Sequence, residues 1–493
     1  MQSDPINSIA IAGAGIVGWS AAAAIRKSLP SIAVTVFETG SELVALAERI
    51  ACTLPSIADF HSDIGLDDSN VIARARSAPR LGTRFVGWAR NQPDFIHAYG
   101  EYGLAIGTAA FHQHWLRAER GGEAAPFDAY CVAAEMARAG KFIPPAAAEA
   151  NSPQRFAYGL HIDPSRYREM MRAYALHLGA CAGGTCLKEV GLDADGGSIR
   201  VLGLADGTEA TADLYVDAGG PQSPLRRAMG GHWEDWSDWL QSDRVIVGAS
   251  AAPPQVLDVT QTAACGWTWS ASGSVGAVYS SGQLSDREAA DLLSRSVSDV
   301  QLGDAISLSQ GRWAEPWVGN CVAIGDSAVT VEPLEWTNLH LAHSAIDRLV
   351  AMMPDRSFNP VELWDYNRQV AAEADRVRDF LIAHYVAGEK RSEPFWKGVS
   401  TRELPQSLAH TLTQFSERGR FPFYEEETFS RSSWLAVLLG QGVRPRRIDP
   451  LVDTTPREQS ARLLAEMQRS ISQWVQSLPD QAVFLESFRQ KVA

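Results

Sequence analysis

Apolar and polar positions change period several times along the chain. Ser8 to Ala12 is a short apolar run suited to a strand, closely spaced glycines follow, and Ser20 to Ile25 reads as the Ala-rich start of a helix. A second apolar run, Ala33 to Phe37, ends in Glu38 and completes a strand-turn-helix-strand unit of the Rossmann kind. From residue 41 to about 180 the pattern is mixed, and aromatic clusters at Phe85–Trp88, Phe95–Tyr102 and Phe111–Trp115 read as helices and excursions that build a substrate region. Val201–Leu204, Asp213–Ala218, Arg244–Ala249 and Val275–Tyr279 read as strands, and Cys321–Ile324 as a buried strand ending in Gly325-Asp326. Beyond residue 340 helical periodicity dominates, in His340–Met353, Pro360–His384 and an amphipathic helix from Thr455 opened by Thr-Pro-Arg-Glu.

The predicted architecture is α/β, a Rossmann-like nucleotide fold with a sheet-rich middle and a helical C-terminal region. Residues 1–340 are expected to form the nucleotide module, with substrate-region segments inserted at about 41–180, and residues 341–493 to complete the substrate side. No internal repeat or low-complexity tract interrupts this plan.

Composition narrows the partners more than the fold. A chain of 493 residues, 45% hydrophobic and 21% charged, is ordinary for a globular protein. Its formal charge of -14 argues against a broad footprint for nucleic acid or an anionic membrane, which demand clustered Lys and Arg. Six Cys lie scattered without a CxxC pair or accompanying His spacing, so no metal site and no disulfide framework are expected, and reduced cytoplasmic thiols fit. Residues 9 to 25 are apolar, but no basic segment precedes them and they hold glycines, as a nucleotide loop does.

Gly13-Ala14-Gly15-Ile16-Val17-Gly18 fits GxGxxG. Glycines there let the chain turn tightly and bring backbone N–H groups to a pyrophosphate at a helix N-terminus. Alone the pattern is also what a structural glycine turn offers. Its place after a strand, and Glu38 twenty residues past Gly18 to accept ribose hydroxyls, supply the context a dinucleotide site needs. NAD and FAD both use such a loop. A second element, Ala323-Ile324-Gly325-Asp326-Ser327-Ala328, resembles the Gly-Asp element with which FAD hydroxylase-type folds hold the ribityl and pyrophosphate region, and the two together favour FAD.

Several stretches resemble flavin-dependent halogenases of the tryptophan-halogenase type: Ile57–His61, Leu81–Trp88, Gly266-Trp267-Thr268-Trp269, Val331–Glu335, and Arg378-Asp379-Phe380 through Tyr385 to Trp396. The resemblance runs from residue 9 to about residue 445. It implies a flavin hydroxylase-type FAD fold, FAD reduced by a separate flavin reductase, oxidation of chloride or bromide, and passage of the oxidant through a tunnel to an electron-rich aromatic substrate, small or larger. Glu335 matches the family's catalytic Glu, and Arg80 stands where its catalytic Lys does. Thr337-Asn338 takes the halide position, usually Thr-Gly. Trp267 and Trp269 match the family's paired indoles, and His97 and Tyr99 its substrate-facing aromatics. The indole clamp maps poorly around Phe429 and Trp434.

Several departures bear on chemistry. Arg keeps its charge, with a pKa above about 12, so an amine nucleophile is lost at position 80 while hydrogen-bond donation remains. Trp336 replaces a Ser and adds volume beside Glu335, where it would narrow the tunnel. Asn338 replaces a Gly at a position where close approach or positive φ is expected. The strap Ile50–Pro55 keeps Thr53 and Pro55 but loses the family's Gly and Glu. Each residue also has a plainer reading: a solvated or carboxylate-paired surface Arg80, a helix-terminal Glu335, a structural His97, packed indoles. Three functions therefore stay open on sequence: a halogenase, a flavoprotein that hydroxylates or oxidises instead, and a non-catalytic FAD-binding protein.

Overall fold

The computed structural model describes residues 4–50, 52–297 and 300–492; Ala51 of the strap lies outside the described residues. Two compact units interleave along the chain. The first comprises residues 1–77, 162–247 and 304–375, and the second residues 78–161, 248–303 and 376–493. These cuts differ from a single boundary at residue 340, because each unit is assembled from three separate stretches of chain.

In the first unit, Ser8–Ala12 pairs in parallel with Ala33–Glu38 on one side and Leu214–Asp217 on the other. The sheet has the order 317–318, 321–323, 214–217, 8–12, 33–38, 181–192, 199–204, 209–210. Its centre is apolar on both faces, as a covered parallel sheet requires: Ile9 through Ala12 and Leu214 through Val216 are all buried. The helix Ile16–Ser28 follows the first strand directly. Gly15 is its N-cap and offers no capping side chain, so the orphan amides of the first turn have only an external or distant acceptor. Arg26 and Lys27 in the last turn complement the dipole at the other end.

In the second unit, strands run in the order 274–279, 266–271, 257–263, 82–86, 95–98, antiparallel except where Leu257–Ala263 meets Gly82–Val86. Gly82–Val86 and Phe95–Ala98 thus correct the expectation of helices and excursions in this region. All four residues of Phe95–Ala98 are buried, so the strand carries no alternation for a period-two reading to detect. Phe111–Arg120 is a helix. The helix expected from Thr455 spans Arg457–Gln476, followed by a last helix at Gln481–Val492: Pro456 is the N-cap of the former, no side chain caps it, and the Thr-Pro-Arg-Glu capping box does not form. Among the described residues no helix is long and apolar enough to cross a membrane.

Backbone packing behind the glycine loop is tight. A Cβ on Gly18 would collide with the Gly13 carbonyl oxygen, and one on Gly13 with the Ala218 carbonyl. Gly18→Ala should therefore cost about 1–3 kcal/mol in chemical denaturation. Gly197→Ala, where a Cβ meets nothing within 4 Å, should change stability by under about 0.5 kcal/mol. Equal effects from the two substitutions would disprove the close approach.

Candidate active site

The nucleotide end is built in the first unit. The Gly13 amide donates to the Phe37 carbonyl at 2.8 Å, bringing the glycine loop against the end of the second strand, where Glu38 is exposed. Glu48, in the short helical turn Leu46–Glu48, accepts from the Ile16 amide at the start of the helix, and its other oxygen lies 3.2 Å from Arg168 Nη1. Burial raises the Glu48 carboxyl to about 7, the Ile16 amide and Arg168 working against that rise.

The second cofactor element forms a turn, Gly325–Ser327, after the strand Cys321–Ala323, and Gly325 takes φ +58°. Asp326 Oδ2 accepts from the Leu46 amide at 2.6 Å, and burial raises this carboxyl to about 6 against that bond. Beneath it lies a group absent from the sequence reading. The buried carboxylate of Asp217 accepts from the amides of Gly219, Leu225 and Arg226 at 2.8–3.1 Å and from the Ser327 hydroxyl at 3.0 Å. Burial raises its pKa, and those bonds oppose the rise.

Glu335 and Trp336 are both buried and both adopt φ of 62°. Non-glycine residues pay for that left-handed region, at a cost of order 1–3 kcal/mol each, and such strain gathers at functional sites. Asn338, by contrast, begins the helix Asn338–Ala351 with no positive φ, so the strain expected there falls on the two residues that precede Thr337. The Asn338 amide nitrogen donates to the Val331 carbonyl at 2.9 Å. Thr337 Oγ1, Asn338 Oδ1 and Asp326 Oδ1 are buried without a hydrogen-bond partner among the described residues.

The other candidate residues belong to the second unit. Arg80, on the strand Ala78–Arg80, is fully buried. Its Nε and Nη2 each reach Asp258 Oδ1 at 2.7 Å, Nη2 donates to Thr83 Oγ1 at 2.9 Å, and Nη1 donates to the Tyr99 hydroxyl. Thr83 in turn donates to Asp258 Oδ2 at 2.7 Å. Strand register sets this cluster: Thr83 is the direct cross-strand partner of Asp258 on one side and of His97 on the other. Burial works against an ionised Asp258, yet the Arg80 charge and hydrogen bonds, with the imidazole of His161 nearby, outweigh it and hold the carboxyl well below its usual range. His161 Nε2 lies 3.6 Å from Asp258 Oδ1; burial lowers the imidazole's pKa while that carboxylate opposes it.

His97 and Tyr99 meet edge to face, with ring centroids 6.0 Å apart. Phe380 and Phe429 stack at 3.8 Å beside His97, and Trp434 meets Phe380 at 4.9 Å. Phe429 and Trp434, which map poorly by sequence, thus join the aromatic group around His97. Trp267 and Trp269 share one face of their strand, 5.8 Å apart; the Trp267 indole donates to the Tyr385 hydroxyl at 2.8 Å and packs near Trp88. Both indoles are buried, which accords with a packing role.

The family model described as "Tryptophan halogenase" matches residues 8–457. The chain belongs to the tryptophan halogenase family. Tryptophan 6-halogenase SttH of Streptomyces toxytricini is 27% identical over 98% of both chains, and tryptophan 7-halogenase RebH of Lentzea aerocolonigenes is 27% identical over 92% of this chain and 93% of its own. The solved structure of BrvH, a flavin-dependent halogenase from Brevundimonas sp. BAL3, superimposes with a TM-score of 0.90 at 33% identity, covering 98% of this chain and 99% of that one.

As a member of this family the chain is an FAD-dependent enzyme of the oxidoreductase class. The residues present fit the cofactor: side-chain-free backbone at Gly13 and Gly18, a helix start whose N-cap offers no side chain, and buried polar atoms at Asp326, Thr337 and Asn338 that have no hydrogen-bond partner among the described residues. Glu38, Gly325 and Asp326 flank that region.

The buried ion pair generates a stability prediction. Asp258→Asn leaves the Arg80 charge uncompensated and should cost about 3–5 kcal/mol by urea unfolding, whereas Arg80→Met combined with Asp258→Leu should cost less than the single change. A single variant within about 1 kcal/mol of wild type would show that Asp258 does not hold the guanidinium.

Proposed function

We propose that this chain uses reduced FAD, oxygen and chloride or bromide to halogenate an electron-rich aromatic substrate, with Arg80 as a fixed hydrogen-bond donor in place of a Lys amine. The observation that carries the role of Arg80 is its immobilisation by Asp258, Thr83 and Tyr99. A guanidinium cannot shed a proton to become an amine carrier, but it keeps its charge and a fixed orientation as a hydrogen-bond donor. Asp258 cancels its net charge, so the group acts through direction rather than through field. Bound FAD, reduced by a separate flavin reductase, supplies the oxygen-activating chemistry.

Each remaining candidate has a task in this reading. Thr337 Oγ1, an unbonded buried donor beside the start of a helix, suits a halide together with Asn338. Glu335, held in a left-handed backbone, accepts the proton that leaves the ring. His97, Tyr99, Phe380 and Phe429 offer aromatic faces to a flat ring, and Trp336 supplies bulk that restricts passage.

Incubation with FAD, a flavin reductase, NADH and bromide or chloride, against a panel of indoles and phenols, should give halogenated product by mass spectrometry. Arg80→Met should lower product at least tenfold, and Arg80→Lys should retain it, with FAD affinity unchanged in both. No halogenated product from wild type on any member of the panel overturns halogenation, and an unaltered rate in Arg80→Met overturns the role of the guanidinium. Trp336→Ser should raise product and lower peroxide release. Unchanged chemistry with a stability loss of roughly 3–5 kcal/mol would instead make the indole plain core.

A further inference from the structure

We infer that Glu48 occupies the seat of the cofactor's pyrophosphate, and that FAD binds by exchange: the pyrophosphate displaces the Glu48 carboxylate from the Ile16 amide and takes over Arg168 as its cation. This rests on the FAD-binding reading and adds to it a gate and a cation that the glycine motif does not specify. Three observations converge. The helix Ile16–Ser28 opens without a capping side chain, so the Ile16 amide is one a dinucleotide phosphate needs, and here it donates to Glu48 Oε1. Gly15 is spatially committed to the same carboxylate, since a Cβ at Gly15 would strike Glu48 Oε1. The second Glu48 oxygen faces Arg168 at 3.2 Å, on the helix Pro164–His177. The carboxylate thus reproduces the contacts of a phosphate oxygen: a helix-terminal amide on one side, a guanidinium on the other.

Charge makes the two occupants exclusive. Of the charged side chains around Glu48, Arg168 is paired to it and Asp326 is a repulsive neighbour that accepts from the Leu46 amide. Glu42, whose Cβ also lies near Gly15, turns its carboxylate to the amide and hydroxyl of Thr39, and Arg49 donates to the Leu43 carbonyl. An incoming pyrophosphate therefore meets a buried negative charge in its own seat with one cation to share. Burial keeps the Glu48 carboxyl near 7, so acid neutralises the occupant within an accessible range and base restores it.

The test is FAD titration, followed by flavin fluorescence, at pH 6.5 and 8.5. Wild type should bind FAD severalfold more tightly at pH 6.5. Glu48→Gln keeps the volume and an acceptor oxygen without the charge; it should bind FAD at least fivefold more tightly than wild type at pH 8.5 and lose most of the pH dependence. Asp326, near 6, titrates in both proteins and cancels from that comparison. Arg168→Met should weaken binding at least fivefold. ADP should follow the same pattern, while riboflavin, which carries no phosphate, should not distinguish Glu48→Gln from wild type. Equal FAD affinity in wild type and Glu48→Gln at pH 8.5, with circular dichroism unchanged, would overturn the exchange and leave FAD binding intact. Failure of all three proteins to bind FAD would instead strike the cofactor reading itself.

Discussion

The carboxylate of Asp217 is where the nucleotide face of the first unit is tied together. It ends a central strand of the parallel sheet, receives the amides of the turn at Gly219 and of Leu225 and Arg226, and receives the hydroxyl of Ser327 from a segment 110 residues further along. A buried charge is tolerated when its lone pairs are filled, and five donors, the Ser223 hydroxyl among them, fill them here. The same bonds fix the height of the Gly325–Ser327 turn relative to the sheet. Asp326 can then meet the Leu46 amide, which in turn places Glu48 over the start of the helix.

The second unit solves a different problem of charge. Its buried cation cannot be discharged by deprotonation, so folding requires an anion of fixed position, and strand pairing supplies one: Asp258 lies opposite Thr83, three residues from Arg80. Hydrogen bonds from Thr83 and to Tyr99 complete the shell. The cluster gives up the proton mobility of an amine and gains a direction that thermal motion does not blur.

The sequence made the nucleotide loop legible because its chemistry is local. Gly13, Gly15, Gly18 and Glu38 lie within one strand-helix-strand unit, and Gly325-Asp326 sits at a strand end that apolar patterning reveals. The resemblance singled out Glu335, Thr337 and Arg80 as candidates by their neighbours in the chain. What escaped was set by tertiary pairing. Asp258 lies 178 residues from Arg80 and carries no local mark of its partner. Glu48 carries no local mark of its bond to the Ile16 amide, 32 residues away. Phe95–Ala98 hides as a strand because both of its faces are covered. At Thr455 a motif with the right letters does not cap the helix, because the extended ψ of 143° at Pro456 makes that residue the N-cap and leaves Thr455 one position too early.

The paired left-handed residues at Glu335 and Trp336 make side-chain identity and backbone shape inseparable at that point. A glycine at either position would relax the main chain while removing contacts, so a gain in conformational ease and a loss of packing would oppose each other in one substitution. A β-branched residue would incur both penalties together. The local sequence is therefore free to drift only along a narrow path, one that passes through residues able to bear this backbone.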